Sequence, residues 1–195
     1  MSDTTQSLLL SDTQIKFGAV LADPPWRFNA GGSKAVTNQY NCMALADIQN
    51  LPVGDIADND CLLFMWATAP MIPHALETMT AWGFRYTSML AWAKQSKTGK
   101  RWSFGTGYRF RNAAEFMILA SKGKPPCLSR NTRNLIVAPV REHSRKPDNQ
   151  YSVVDALAGD VPKIELFARQ QWHGKNWHAW GNQTDKFTPD LKEAS

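Results

Sequence analysis

An α/β fold, with a mostly parallel sheet and helices on both faces, is predicted by three features of this 195-residue chain. Apolar runs of strand length alternate with segments of helix length, the pattern of βα units. One of those runs, Cys61-Leu62-Leu63-Phe64-Met65-Trp66, is continuously apolar, as a buried strand is. The composition, 43% apolar with 8 Trp and 9 Phe, is enough to build a substantial core.

The first strand is expected at residues 17–22. A polar loop at 28–41 follows, with Gly31-Gly32-Ser33 as its flexible part. Residues 45–51 suit a short helix with Pro52 near its end, and 61–66 the buried strand. Pro70 or Pro73 opens a helix reaching about Trp82, where Gly83 provides a C-terminal cap. Residues 84–94 and 113–121 read as strands. Between them, 95–112 is a long loop rich in Lys, Gly and aromatics, and loops of that length usually carry function. A strand at 135–140, a helix at 147–157, a strand at 163–168 and a last one from 177 complete the series. In such sheets ligands sit at the carboxyl ends of strands, where Asp23 and Glu165 would lie.

Composition narrows the function classes. The longest apolar runs are too short for a bilayer span, and the N-terminus lacks the basic and apolar regions of a secretory signal. Cys42, Cys61 and Cys127 are odd in number and widely spaced, which argues for reduced thiols in a cytoplasm rather than a disulfide or zinc framework. His173 and His178 match no metal-ligand spacing, and no metal is expected.

Charge is unevenly distributed. Residues 94–146 hold 13 Lys and Arg against Glu115 and Glu142, a local excess of +11 in a chain whose total is +5. Trp102, Phe104, Tyr108 and Phe110 are interleaved there. Cations alternating with stacking faces suit a nucleic acid with exposed bases. A solvated basic face or an acidic protein partner would fit the same charge, but no protein partner is evident.

Asp23-Pro24-Pro25-Trp26 stands at the exit of the first strand. The carboxylate accepts hydrogen bonds, each proline offers a carbonyl and no N–H, and the indole offers a flat face. Together they make an acceptor-only cradle for a flat ring bearing an exocyclic amine, as methylation of the adenine amino group requires. Asp-Pro and Pro-Pro are also ordinary turn signals, so the tetrapeptide alone leaves a structural turn open.

The chain resembles the MT-A-seventy-like family, which includes the catalytic subunit of eukaryotic mRNA adenosine methyltransferase and its bacterial and phage DNA-adenine relatives. The resemblance rests on Asp23-Pro24-Pro25-Trp26, Leu63-Phe64-Met65-Trp66, Ala91-Trp92-Ala93-Lys94, residues 141–148 (Arg-Glu-His-Ser-Arg-Lys-Pro-Asp), residues 163–169 (Lys-Ile-Glu-Leu-Phe-Ala-Arg) and Trp180-Gly181-Asn182-Gln183. They occur in the family's order and cover about residues 17–185, leaving 1–16 and 186–195 as tails. The resemblance implies a Rossmann-like, S-adenosylmethionine-dependent methyltransferase sheet. It also implies circular permutation, with the catalytic tetrapeptide ahead of the cofactor motif.

By the same resemblance, Asp23 and the Pro24 carbonyl accept the amine hydrogens, with Pro25 completing the motif and Trp26 walling the base. Lys146 engages the cofactor's carboxylate. Glu165, Leu166, Phe167 and Arg169 form the cofactor strand and turn, and Asn182 and Gln183 a closing pair; Asp23 also borders the cofactor. Tyr40, Trp66, Trp92, Asn112, Glu115 and Arg145 match positions around the substrate pocket. The chain departs from the mRNA enzyme after Arg169, reading Gln170-Gln171-Trp172 where that enzyme has Pro-His-Asn. Residue 168 is Ala where many relatives have Gly.

The leading expectation is therefore a DNA adenine amino-methyltransferase of short or relaxed specificity, reading its target through loops 28–44 and 95–112. The alternatives are an RNA adenosine methyltransferase and a catalytically silent nucleic-acid-binding module.

Overall fold

The structure, a computed structural model, describes Leu10 and residues 13–26, 42–105, 107, 109–142 and 144–187. The predicted loop at 28–41, including Tyr40, and the aromatic Tyr108 lie outside the described residues.

Seven strands form one sheet in the order β5-β3-β4-β2-β1-β6-β7. They are β1 (Phe17–Ala22), β2 (Ala57–Ala67), β3 (Arg85–Gln95), β4 (Ala114–Lys122), β5 (Leu135–Pro139), β6 (Lys163–Leu166) and β7 (Trp177–Trp180). β1 lies inside the sheet between β2 and β6, parallel to β2 with Leu21 opposite Phe64, and parallel to β6 with Leu21 opposite Glu165. β5 is parallel to β3, and β7 to β6. β4 is antiparallel to both β2 and β3, so it alone among the described strands is reversed.

Every residue of β1 is buried, because successive side chains enter opposite layers. Val20 and Ala22 join a core with Leu63, Met65, Ile164 and Leu166. The helices α1 (Leu45–Gln49), α2 (Val53–Ile56) and α3 (Ile72–Ala81) contribute Ile48, Val53, Ala75 and Met79 to that layer. Ala19 and Leu21 join Phe64, Trp66, Trp92 and Ile136 on the other face, under Tyr151 and Val154 of α4 (Asn149–Ala158). This is the α/β, Rossmann-like architecture that the sequence predicts, with helices on both faces. Leu10, in the predicted N-terminal tail, is buried in the first core.

Several boundaries follow from local chemistry. Pro70 opens a 3-10 turn (Ala69–Met71) that runs into α3, and Gly83 takes φ 83° just beyond it. β2 begins four residues before the predicted run: Ala57 pairs with Phe17 and Leu62 with Ala19, the exposed Asp58, Asn59 and Asp60 fall in the register shift between those pairs, and Asp60 accepts the Lys124 backbone N–H at 2.6 Å. The predicted loop at 95–112 is an excursion between β3 and β4 with ladder contacts of its own, Gln95 to Trp102 and Gly105 to Asn112. Cys61 is buried, which pushes its thiol up to about 12, while Cys42 and Cys127 are exposed.

Candidate active site

β1 delivers Asp23 to the carboxyl end of the sheet, and Pro24, with no N–H to donate, ends the strand there. The chain then turns tightly: the Trp26 N–H donates to the Pro24 carbonyl at 2.8 Å, and the Met43 N–H to Pro25 at 3.2 Å. The Trp26 indole N–H donates to the Trp66 carbonyl at 3.0 Å, which fixes the ring against the end of β2.

The Asp23 carboxylate receives Lys146 Nζ on both oxygens, at 2.8 and 2.7 Å, and Arg169 Nη2 at 3.2 Å. Lys146 also reaches Glu115 at 3.3 Å, and Lys94 takes the other Glu115 oxygen at 2.5 Å. Charges thus alternate along Lys94, Glu115, Lys146, Asp23 and Arg169. Burial alone would push the Glu115 carboxyl up, but Lys146 and Lys94 outweigh it and hold the group at about 2. Burial would likewise lower Lys146; the charges of Asp23 and Glu115 win, and its pKa is raised.

A second network backs the first. Arg141 grips Asp148 through two bonds of 2.9 and 2.6 Å and donates to the Lys146 carbonyl at 2.8 Å, so the lysine's own backbone is tied down. Arg145 donates to Gln170 at 3.1 Å; Gln170 donates to Asp148 at 3.1 Å and to the Tyr151 hydroxyl at 2.9 Å. The Tyr151 hydroxyl in turn donates to Glu165 at 2.7 Å. Burial pushes the Glu165 carboxyl up to about 8, although the Tyr151 hydrogen bond opposes the shift; the nearby Asp23 charge adds to it. The chain leaves β6 through Phe167 with φ 60°, a left-handed conformation that a side chain bearing Cβ rarely takes. This swings Arg169 back towards Asp23, where it also donates to the Ser144 carbonyl.

The MT-A70 family model matches residues 17–183. The chain belongs to the MT-A70 family. It is 31% identical over 191 residues to the Type II methyltransferase M.MunI of Mycoplasma sp, covering 85% of this chain and 77% of that protein. It is 30% identical over 172 residues to the human N(6)-adenosine-methyltransferase catalytic subunit METTL3, covering 87% of this chain and 28% of the relative. For the Medicago truncatula protein named putative N(6)-adenosine-methyltransferase MT-A70-like the identity is 30% over 169 residues, 86% of this chain and 26% of the relative. The chain thus spans about a quarter of the length of these adenosine-methyltransferase relatives. No helix among the described residues is long and apolar enough to cross a membrane.

In this MT-A70 chain a small cavity of about 20 Å³ opens beside the ion chain. Of the residues singled out from the sequence, Asp23, Arg145, Lys146, Glu165, Phe167 and Arg169 line it together. Leu166 points its side chain into the core. Trp66 is fully buried behind the site, its indole N–H on Gln150 at 2.7 Å and its ring 5.7 Å from Lys146 Nζ. Trp92 is a core residue, 3% exposed, with its N–H on the Ala138 carbonyl. Asn112 sits at the neck of the β3–β4 excursion. Asn182 and Gln183 are exposed beyond β7 and are not among the cavity's lining.

The sequence reading missed Gln150, Tyr151, Gln170 and Phe187, all of which line the cavity. Gln170 was visible only as a departure from the mRNA enzyme. Phe187 falls in the predicted C-terminal tail, but its N–H bonds to the Arg169 carbonyl at 2.9 Å, and Arg145 and Arg169 lie 5.1 and 5.4 Å from its ring. Cation–π contact is the physical link here, and it leaves no short-range pattern in the sequence.

Proposed function

We propose that the chain transfers a methyl group from S-adenosylmethionine to the exocyclic amine of adenine in DNA, with short or relaxed sequence specificity. The observation that carries this reading is the convergence of Lys146 and Arg169 on the Asp23 carboxylate at the exit of β1. Membership of the MT-A70 family supplies the methyltransferase class.

The side chains around the cavity suit the cofactor. Lys146 and Arg169 are cations for a ligand carboxylate, Asp23 and Glu165 are acceptors for its ammonium and hydroxyl groups, and Phe167 and Phe187 add flat faces. When bound, the cofactor supplies an electrophilic sulfonium methyl. Asp23 would orient the amine. A carboxylate has about four acceptor sites, and its bonds from Lys146 and Arg169 leave room for an amine hydrogen. The Pro24 carbonyl, with one lone pair on Trp26, offers its second. Trp26, held by Trp66, would wall the base. Orientation and electrostatics are the protein's contribution. The order of Asp23 before Glu165 and Arg169 along the chain supports a permuted arrangement of the two motifs.

DNA is favoured because the bacterial type II methyltransferase aligns over 77% of its length, whereas the adenosine methyltransferases align over about a quarter of theirs. The basic segment 94–146 is the proposed polymer contact. RNA is the second reading, and the names of the adenosine-methyltransferase relatives favour it. Tritiated methyl transfer to DNA and RNA oligonucleotides tests all of this. The wild type should label DNA, and Asp23→Ala should cut labelling by on the order of 10²-fold or more. Labelling of RNA alone moves the substrate to RNA, and equal labelling by wild type and variant sinks the assigned role of Asp23.

A further inference from the structure

Three large aromatic side chains stand in solvent between β3 and β4: Trp102 is 63% exposed, Phe104 65% and Phe110 85%. Their backbone is ordered by its own hydrogen bonds. Ser103 N–H donates to Lys94 at 2.8 Å, Ser96 N–H to Arg101 at 2.7 Å and Gly105 N–H to Asn112 at 3.0 Å, and the first reversal is made by Gly99 at φ 72°. Residues 94–114 contain six Lys and Arg and no Asp or Glu. The root of this excursion is Lys94 paired with Glu115, and Glu115 continues through Lys146 to Asp23. Rings, cations and the site of chemistry are therefore joined through one chain of ion pairs.

An adenine held against Asp23 and Trp26 has left its stack, and its neighbours have each lost a stacking partner. Exposed rings separated by cations can replace those partners while neutralising phosphate. Leu135 and Val137, 52% and 47% exposed on the edge strand β5, are by contrast apolar without interleaved charge. That strand edge is the more natural face for a protein. We propose that the β3–β4 excursion is a stacking platform: unpaired bases flanking the target adenine lie on Trp102, Phe104 and Phe110, with Lys100, Arg101 and Arg111 along the phosphates.

This inference rests on the nucleic-acid reading above, and binding separates it from catalysis. Fluorescence anisotropy would compare a short adenine-containing single strand with its paired duplex. Wild type should prefer the single strand. Trp102→Ala, Phe104→Ala and Phe110→Ala should each weaken that binding by about fivefold or more, and the triple variant should lose the preference. Phe110→Trp should hold the affinity and Phe110→Leu should not; the KM for DNA should rise with that for S-adenosylmethionine unchanged. Unchanged affinities, or Leu serving as well as Trp, overturn the proposal. A triple variant altered only in self-association by sedimentation would make the rings a protein interface and overturn it too. Single-strand discrimination by a wild type that methylates nothing supports the platform and removes the proposed function instead.

Discussion

The interior behind Asp23 and the β3–β4 excursion treat polar and apolar groups in opposite ways. Behind Asp23, Lys146 is 7% exposed, Asp148 1% and Gln170 4%, and each is held by specific partners. On the excursion, Phe110 is 85% exposed although a ring of that size gains most from burial. In the interior a polar group left without its partner carries the full cost of desolvation, so geometry is fixed before any ligand arrives. On the surface a ring contributes little to the fold, and its free energy is available to whatever lies on it.

Three substitutions test that contrast. Lys146→Met removes the cation shared by Asp23 and Glu115; the loss of two buried ion pairs should lower stability by about 3 kcal/mol, read from urea unfolding. A loss below about 1 kcal/mol would mean that Arg169 and Lys94 suffice and that the interior is less tightly coupled than its geometry suggests.

Glu165→Gln acts through pH. The Glu165 carboxyl stands at about 8 in the fold against an ordinary 4.5, so the folded protein holds a proton that the unfolded chain has released. Its contribution is fully present below about pH 4.5 and is lost as pH rises to about 8. Glu115 runs the other way, its stabilisation present above 4.5 and lost as pH falls towards about 2. Unfolding free energies across this range should fall between pH 4.5 and 8 in the wild type and stay flat in Glu165→Gln. The acid limb should persist in both, and an unchanged slope in the variant would remove Glu165 as its source.

The smallest effect belongs to the surface. Phe110→Ala should shift unfolding by no more than about 0.5 kcal/mol; a larger loss would show that the ring packs against the fold and would erase the contrast between the two regions.

Much of the frame was legible because it is local. β1 is Phe17–Ala22 as expected, Gly83 caps the third helix, and Asp23 and Glu165 reach the same sheet edge because their strands are parallel neighbours. Trp92 was harder: strand alternation gives the period of a side chain, not which layer covers it, and its face of β3 lies under α4. Gln170 and Tyr151 carried no motif, since a buried hydrogen-bond relay needs only donors and acceptors at the right distance in space. The start of β2 at Ala57 was illegible because its pairing with Phe17 of β1, not propensity, decides it.

The sequence by itself determined the alternating α/β order, the acceptor-rich tetrapeptide at a strand exit and the basic, aromatic segment, since each is written in neighbouring residues. The tertiary structure alone decided that Lys146, 123 positions from Asp23, bonds to it, and that Lys94 joins the same chain through Glu115. Ion pairing at hydrogen-bond distance depends on where parallel strands end, and strand register is a property of the packed sheet rather than of any segment within it.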